Sequence, residues 1–436
     1  MKITRYLSFL PKPVKRFLKD TYASFSIWYE TMGAPAISSN CGFLLKPFYQ
    51  VCKKRNFCFL TNISLGVGHI ACETDYFFRQ KNNGAIDHDK KYILILKNHP
   101  LSKDYGKLFS HLFYLYRANT LLYWLLLPLT MRYEDIRLDC GLSKVKWNFV
   151  DLEKLNSFSQ SANWPKCISK IANMAAWQSV EQHWSTTPHY FPLLETSSAN
   201  CQFINYFGLD RKKTAVLQLK SACVNACAKK TDSRTLFPTI EYLLDCGYQV
   251  VLGGREKMPQ TMKKYPIINY SESMFATFEN DCHLFKLASL SIGTSGLQFL
   301  AACFNVKILY VNSWHIFWEP PGEQSVCVPT LLFDKNDRPL SAKAQWDLYM
   351  SDPQHDEYFP EDGFTARNAT EDEILHGCIE LLNGNKSSIC GVFASPSAPA
   401  KSHISAYFIE KHKELFLPRA FKLNQRSKTK NKSFQQ

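Results

Sequence analysis

One segment limits the folds open to this chain more than any other. Residues 288–304 read Ala-Ser-Leu-Ser-Ile-Gly-Thr-Ser-Gly-Leu-Gln-Phe-Leu-Ala-Ala-Cys-Phe. A short apolar run leads into a small-residue loop, a run of helical length follows the loop, and a second apolar run, Lys307–Asn312, comes after a tight turn. This order predicts strand, loop, helix and strand, which is the crossover between two parallel strands. The segment therefore predicts an α/β fold.

The loop at 293–296 has the composition of an anion site. Gly293 and Gly296 allow the backbone to approach a ligand closely, and Thr294 and Ser295 offer hydroxyl groups. The N–H groups at the following helix start favour a negatively charged ligand such as a diphosphate. The alternative is that small residues at this point only allow the helix to pack tightly on the sheet.

The same pattern of strand, glycine loop and helix occurs earlier in the chain. An apolar run at Asn56–Asn62 leads to Gly66 and Gly68 and then to a helical pattern. A third apolar run, at 247–254, ends in Gly253-Gly254. Repeated units of this kind predict two Rossmann-like domains of α/β class, each with a glycine loop at the carboxyl end of an early strand.

The chain is long for one domain, so we expect at least two cores among its 436 residues. The segment around 185–212 has proline and a Ser-Ser-Ala-Asn run and is predicted to be a linker. The predicted divisions are a basic amphipathic N-terminal segment at 1–50, a first Rossmann-like domain at 51–200, a second at 201–390, and a C-terminal extension with a disordered basic tail at 391–436.

The formal net charge of +14 is concentrated at the two ends of the chain. This distribution argues against a nucleic-acid groove through the fold and is consistent with an anionic membrane surface or with simple solubility. The apolar residues of the N-terminal segment recur at helical spacing, so that segment either lies in a headgroup layer or packs on its own domain. The basic residues concerned are Lys2, Arg5, Lys12, Lys15, Arg16 and Lys19 at one end and Arg419, Lys422, Arg426, Lys428, Lys430 and Lys432 at the other.

The fifteen cysteines have no Cys-x-x-Cys pair and no framework spacing, which predicts buried free thiols in the cytoplasm. The most apolar run, Leu121–Met131, is too short to span a bilayer and is predicted to be a buried core segment. We expect a cytoplasmic protein, with peripheral attachment to the inner face of the membrane as an extension of that hypothesis.

Several of these segments, in this order, resemble a family of bacterial glycosyltransferases that is associated with surface-polysaccharide biosynthesis. Those segments are 65–70 with Glu73, 216–220, 232–234, 247–258, 268–271 and 292–297, and together they extend over most of 57–385. The resemblance implies the GT-B architecture, in which two Rossmann-like domains face each other across a cleft. Two positions depart from the family, because Lys220 and Leu252 stand where arginines are usual.

The resemblance implies transfer of a sugar from a nucleotide-sugar donor to a glycan or lipid-linked acceptor, with no bound metal and no cofactor. Negative charge develops on the departing diphosphate, so cations and N–H groups must already be in place there. The candidate donor-binding residues are Lys220, Gly254, Arg255, Thr294, Ser295 and Gly296. Asp232 and Arg234 are interpreted instead as a helix cap and its solvated partner.

The acceptor hydroxyl needs a general base, and His69 is the first candidate. It follows Gly66 and Gly68 at a helix start, and an imidazole has a pKa suited to proton abstraction near neutrality. Glu73, one turn further on, is the second candidate, either as base or as the partner that orients His69. The alternative is that His69 only caps or packs against the helix.

Other residues and functions stay open. Trp314, His315, Trp318 and Glu319 form a polar and aromatic loop suited to sugar or base stacking, or to domain packing. The alternative function is a catalytically silent GT-B-like domain that binds nucleotide or glycan, which the missing arginines motivate. A nicotinamide enzyme is less consistent with the sequence, which has no full Gly-x-Gly-x-x-Gly with a suitably spaced acidic residue.

Overall fold

In a computed structural model, the contacts divide the chain into two compact units. The first unit contains Met1–Leu65 and Asp87–Cys140, and the second contains Gly66–Ile86 and Gly141–Gln436. The predicted domains place 66–86 with the first half of the chain, whereas its contacts place it in the second unit. The structure describes residues 25, 29, 34, 37, 42–60, 67–84, 86–110, 114–130, 137–138, 189–191, 202–220, 231–294, 296–313, 324–341, 344, 363–384 and 402–416.

The first unit is built on a four-stranded parallel sheet with the order β3-β2-β1-β4. In β2 buried residues alternate with more exposed ones, as expected for a strand with two different faces. Helix α1 packs on this sheet through Tyr49 and Cys52, which form a cluster with Phe59. The elements of this unit are α1 (Gly42–Lys54), β1 (Phe57–Leu60), β2 (Lys91–Lys97), α3 (Pro100–Phe109), β3 (Tyr114–Ala118), α4 (Thr120–Leu126) and β4 (Arg137–Leu138).

The second unit contains a seven-stranded sheet with the order β13-β10-β9-β8-β5-β6-β7, in which all neighbours pair in parallel. The predicted α/β class with parallel sheets is therefore confirmed. Its elements are α2 (Val67–Asn82), α5 (Gln202–Phe207), β5 (Thr214–Gln218), α6 (Phe237–Asp245), β6 (Gln249–Gly253), β7 (Ile268–Asn269), α7 (Phe278–Leu287), β8 (Leu290–Gly293), α8 (Gly296–Cys303), β9 (Lys307–Ser313), β10 (Ser325–Pro329), β11 (Leu331–Phe333), β12 (Thr365–Arg367), α9 (Glu371–Asn383), β13 (Ser402–Ile404), α10 (Ala406–Lys411) and α11 (Lys413–Phe416).

The order of the large sheet reverses at one point. From β5 the chain proceeds through β6 and β7 toward one edge, and then returns to β8 on the other side of β5 and proceeds through β9 and β10 toward the opposite edge. This is the strand order of a doubly wound dinucleotide-binding fold, in which ligands bind outside the carboxyl ends of the strands where the order reverses. We call the gap between the carboxyl ends of β5 and β8 the switch point.

Local sequence signals explain several element boundaries. Gly247 adopts φ +77 directly after α6, a conformation that glycine tolerates without a steric penalty. Thr370 begins α9 with a capping box, in which its side chain accepts from the backbone of Glu373 and the Glu373 carboxylate accepts from the backbone of Thr370. A glycine after an apolar helical run predicts the first feature and the pattern Thr-x-x-Glu before such a run predicts the second, and both predictions are confirmed. The sequence pattern also predicts a strand at 144–150 and a helix at 165–184, but these segments lie outside the described residues.

The C-terminal residues 402–416 belong to the second unit. Strand β13 pairs with β10 at the edge of the sheet, and Ile404, Phe408 and Phe416 join the main hydrophobic cluster. Part of the predicted extension at 391–436 is therefore core structure, because its apolar residues complete the sheet edge. The basic tail after Pro418 lies outside the described residues.

Residues 121–130 of the predicted apolar segment lie in α4 and in a 3-10 turn at Leu127–Thr130, and Met131 lies outside the described residues. Tyr123 and Leu127 are buried, whereas Leu121 and Leu125 are exposed. The prediction of a buried core segment is thus confirmed for one face of the helix only. Within the described part of the chain, no helix has both the length and the apolarity needed to cross a membrane.

Candidate nucleotide-binding site

Three strand ends bring separate parts of the sequence together at the switch point. Strand β5 ends at Gln218 just before Lys220, β6 ends at Gly253 before Gly254 and Arg255, and β8 ends at Gly293 before Thr294. Strand β5 pairs with β6 on one side and β8 on the other. The structure therefore places five of the six candidate donor-binding residues on segments that meet at one edge of the sheet. Those five are Lys220, Gly254, Arg255, Thr294 and Gly296.

The glycines at this edge are required by close packing. A Cβ at Gly293 would lie 2.8 Å from Gln218 Cβ and 2.9 Å from the Gln218 carbonyl oxygen. Gly254 adopts φ +83, in the left-handed region that favours glycine. The loops after β6 and β8 can therefore run close to the end of β5 only without side chains at these two positions.

A chain of buried amides lies beneath the loops. Ser291 Oγ donates to Gln298 Oε1 at 2.8 Å, and Gln298 Nε2 donates to Gln218 Oε1 at 3.4 Å. Gln298 and Ser291 are fully buried. Since buried polar side chains must be hydrogen-bonded to be tolerated, this chain fixes α8 against the ends of β5 and β8.

The hydroxyl group of Thr294 is hydrogen-bonded to the protein backbone. It donates to the Asn312 carbonyl oxygen at 3.1 Å, while the Tyr310 hydroxyl donates to the Thr294 carbonyl oxygen at 3.4 Å. Asn312, at φ +54, accepts on Oδ1 from the backbone N–H of Ala369 at 2.8 Å, and its Nδ2 has no hydrogen-bond partner among the described residues. The sequence prediction assigned the Thr294 hydroxyl to a ligand, but the structure uses its hydrogen to hold the loop.

Arg255 is likewise held by protein partners. Its guanidinium donates to both carboxylate oxygens of Asp281, at 3.2 and 2.8 Å, and to the Gly254 carbonyl oxygen at 2.6 Å. The buried Asp281 also accepts from the Tyr270 hydroxyl at 3.0 Å. Burial and the nearby Asp281 raise the pKa of Tyr270 well above its ordinary value. Arg255 thus ties the loop after β6 to α7, although its side chain remains 47% exposed.

Helices α2 and α8 lie side by side with their amino ends together. A Cβ on Gly68 would lie 3.1 Å from Gly296 Cα, and a Cβ on Gly296 would lie 2.9 Å from the Gly68 backbone nitrogen. Two turns further along both helices, ligand atoms of Asp75 and Cys303 lie within 4.8 Å of each other. The helices are therefore parallel, and both glycines allow them to pack closely. Tight packing was the alternative that the sequence offered for the small residues at 293–296.

This arrangement places two helix amino ends at the switch point. The first N–H groups of a helix have no partner within the helix and its amino end carries a partial positive charge, and parallel dipoles placed side by side repel each other. An anion bound at the shared end would relieve that repulsion and accept hydrogen bonds from the N–H groups.

Not every candidate residue can be located. Ser295 and Gly66 lie outside the described residues, as does the loop with Trp314, His315, Trp318 and Glu319. His69 lies in the first turn of α2, but its side chain is outside the described set, and Glu73 is half-buried one turn later.

The structure shows the local role of two further positions, Asp232 and Leu252. Asp232 caps a 3-10 turn by accepting from the Arg234 backbone N–H, and the exposed Arg234 side chain pairs with Asp232, which confirms the cap interpretation. Leu252 is fully buried in the main cluster. An arginine at this position would bury its charge and would therefore need a paired anion, whereas Leu252 contributes to the core.

A buried polar cluster on α2 was missed from the sequence. Asp75 accepts from the Tyr190 backbone N–H at 2.8 Å, lies 2.7 Å from His189 Nδ1, and pairs with Arg79 at 3.7 Å. Asp75, His189 and Cys303 form a group that could hold a metal ion. However, Arg79 already balances the Asp75 charge, so a dication would add unbalanced positive charge in a buried place. The more than one hundred residues between Asp75 and His189 explain why no local pattern revealed this cluster.

Comparisons with known proteins add a distant structural likeness. No protein-family model and no curated protein sequence matches the chain. The glycosyl transferase family 9 structure from Veillonella parvula DSM 2008 is 12% identical, with 76% of this chain and 97% of that chain covered at a TM-score of 0.40.

Two E. coli structures match at lower TM-scores. ADP-heptose lps heptosyltransferase II is 15% identical over 58% of this chain and 84% of its own, at a TM-score of 0.33. Heptosyltransferase WaaC with ADP is 11% identical, with 66% of this chain and 92% of that chain covered at a TM-score of 0.32. Because these identities and TM-scores are low, the assignment of function rests on the residues at the switch point.

Proposed function

We propose that this chain is a glycosyltransferase of GT-B type that transfers a sugar from a nucleotide-sugar donor to a surface glycan or a lipid-linked acceptor. The observation that carries the proposal is the convergence of two helix amino ends, two glycine-bearing strand ends and the end of β5 with Lys220 at the switch point of a doubly wound sheet. That position is where such folds bind nucleotides, and the helix ends favour a diphosphate.

The proposed reaction is a displacement at the anomeric carbon of the donor sugar. The acceptor oxygen forms the new bond to that carbon as its proton passes to a base, and the bond from the carbon to the diphosphate oxygen breaks with its electron pair leaving on the diphosphate. The negative charge that develops there would be stabilised by Lys220 and by the N–H groups at the start of α8.

The geometry assigns unequal roles to the candidate donor-binding residues. Lys220 is half-buried at the end of β5 and supplies a compact positive charge. Arg255 and Thr294 are engaged with protein partners, so their expected role is to shape the loops. Their side chains support the diphosphate indirectly, and the ligand-binding hydrogen bonds are assigned to backbone N–H groups.

A nucleotide titration tests the donor site. We expect Lys220→Ala to weaken binding of nucleoside diphosphates by roughly tenfold or more, as for loss of one charge-assisted hydrogen bond. Lys212→Ala is the matched control, because Lys212 is an exposed lysine before the amino end of β5. Equal affinity of the two variants for UDP, GDP, CDP, ADP and TDP would reject this placement of the donor site.

The proposed base is His69, with Glu73 as the second candidate. His69→Ala should lower turnover by roughly 10²–10⁴-fold while nucleotide affinity changes little. His69→Asn keeps a polar side chain at the helix start but cannot accept a proton near neutral pH. Full turnover in His69→Asn would make His69 structural and leave Glu73 as the base to test.

A second function, a catalytically silent domain that binds nucleotide or glycan, is favoured by two observations. Lysine stands at 220, where arginine would give bidentate contacts, and the Arg255 guanidinium is tied to Asp281. Nucleotide binding by the unmodified protein without turnover of any nucleotide sugar would support this function over sugar transfer.

A further inference from the structure

Helix α1 of the first unit has two apolar faces. Its inner face consists of Leu45, Tyr49 and Cys52, spaced at i, i+4 and i+7, and Tyr49 and Cys52 are buried against the sheet. An amphipathic helix on a protein surface usually turns charged and polar residues outward on the opposite side. In α1 a second apolar stripe flanks the inner face, about 100° around the helix axis from it.

The outer face consists of Leu44, Phe48 and Val51, again at i, i+4 and i+7, and Phe43 lies at the start of the helix. Their exposed fractions are 65%, 38%, 57% and 72%, respectively, although the Phe48 ring also packs on Phe59 at 6.1 Å between centroids. Single exposed apolar residues are common, but several large ones on neighbouring turns of one helix usually mark a binding surface.

The charged residues of α1, together with the residue that follows the helix, have one sign. Lys46 and Lys54 lie on the exposed part of α1, Lys53 and Arg55 lie at its end, and α1 itself has no acidic residue. No aspartate or glutamate occurs anywhere between Glu30 and Glu73. A second copy of the same helix would bring positive charge against positive charge, whereas a layer of anionic lipid headgroups would complement it.

We propose that the outer face of α1, formed by Phe43, Leu44, Phe48 and Val51, docks on an anionic lipid surface. The apolar side chains enter the boundary between headgroups and acyl chains, and the lysines contact lipid phosphates. The inner face stays packed on the sheet, so docking needs no unfolding of the first unit. This inference goes beyond the proposed sugar transfer and does not depend on it.

Sedimentation with vesicles tests the surface in the full chain. Phosphatidylcholine vesicles with and without phosphatidylglycerol are compared for the unmodified protein and for the double variant Leu44→Gln/Val51→Gln. We expect the double variant to bind the anionic vesicles at least about tenfold more weakly, because two apolar side chains no longer leave water. The double variant Lys46→Gln/Lys54→Gln should also bind them more weakly and should reduce the preference for phosphatidylglycerol.

A matched control removes similar exposed apolar groups from the second unit. Tyr206→Gln/Met274→Gln should sediment with vesicles as the unmodified protein does, since both residues are exposed and neither lies on α1. Circular dichroism confirms that each variant is folded, and nucleotide binding reports on the proposed function separately. If Leu44→Gln/Val51→Gln sediments like the unmodified protein, the basic ends of the chain suffice and the proposal is overturned. If that variant instead abolishes a dimer while vesicle binding persists, a second copy covers this face and the proposal is likewise overturned.

Discussion

Replacing Gly296 by alanine separates a packing role from a ligand-binding role at the start of α8. The added Cβ would lie 2.9 Å from the backbone nitrogen of Gly68 and 3.4 Å from its Cα. Ordinary contacts of this kind begin near 3.5 Å, so the two helices must separate by about 0.6 Å. Backbone atoms cannot rotate away as a side chain end can.

The expected cost follows from two opposing effects. Overpacking of this kind costs about 1–3 kcal/mol, and alanine regains up to about 1 kcal/mol over glycine in a helix. We therefore expect Gly296→Ala to lower the free energy of unfolding by about 1–2 kcal/mol. For a unit of roughly 300 residues, that lowers Tm by about 1–2 °C for each kcal/mol.

The prediction is tested by calorimetry, which compares the Tm and the free energy of unfolding of Gly296→Ala and Gly106→Ala with those of the unmodified protein. Gly106 lies in α3, where the nearest heavy atom to an added Cβ is Leu115 Cδ1 at 3.9 Å. Gly106→Ala shares the effect on the unfolded chain but has no clash, so it should be neutral or stabilising. The reasoning is refuted if Gly296→Ala is as stable as Gly106→Ala. Normal stability with weaker nucleotide binding would restore the ligand-binding role predicted from the sequence.

Two further predictions concern buried carboxylates. Arg255→Ala leaves Asp281 buried without its cation, so the free energy of unfolding should fall by about 1–2 kcal/mol in urea titrations, and an unchanged urea midpoint would show that Arg255 does not hold the loop. Burial raises the pKa of Glu373, but hydrogen bonds from the backbone of Thr370 and from Lys411 and His412 outweigh it, so the net pKa lies below the ordinary 4.5. Because that pKa is lowered by folding, the stabilisation is present above about pH 4.5 and is lost as pH falls through the folded value. Glu373→Gln should therefore flatten the acid side of the stability profile, whereas Glu410→Gln, at an exposed site, should leave it intact.

The sequence predicted the parts of the fold that depend on local signals. The strand, loop and helix at 290–303, the helix stop at Gly247 and the capping box at Thr370 follow from residues close together in the chain. Each of these signals acts within one or two turns, so their positions could be predicted without knowledge of the tertiary structure.

The partners of the site residues could not be predicted in this way. The pairing of Arg255 with Asp281 depends on how β6 and α7 come together, and the packing of Gly68 on Gly296 depends on which unit receives α2. Neither contact leaves a local pattern. The sequence therefore predicted loops at these strand ends, but it could not show that Arg255 and Thr294 are bound by α7 and β9.

The parallel packing of α2 on α8 has a consequence for biosynthesis. More than 200 residues separate Gly68 from Gly296, so at about 5–20 residues per second α2 leaves the ribosome roughly ten to fifty seconds before its partner helix is made. During that time the face of α2 that carries Gly68 and Asp75 has no helix α8 to pack against. Strand β13 can pair with β10 only after residues 402–404 have emerged. The second unit therefore assembles from segments that leave the ribosome at widely separated times, and its contacts between α2 and α8 form late in its synthesis.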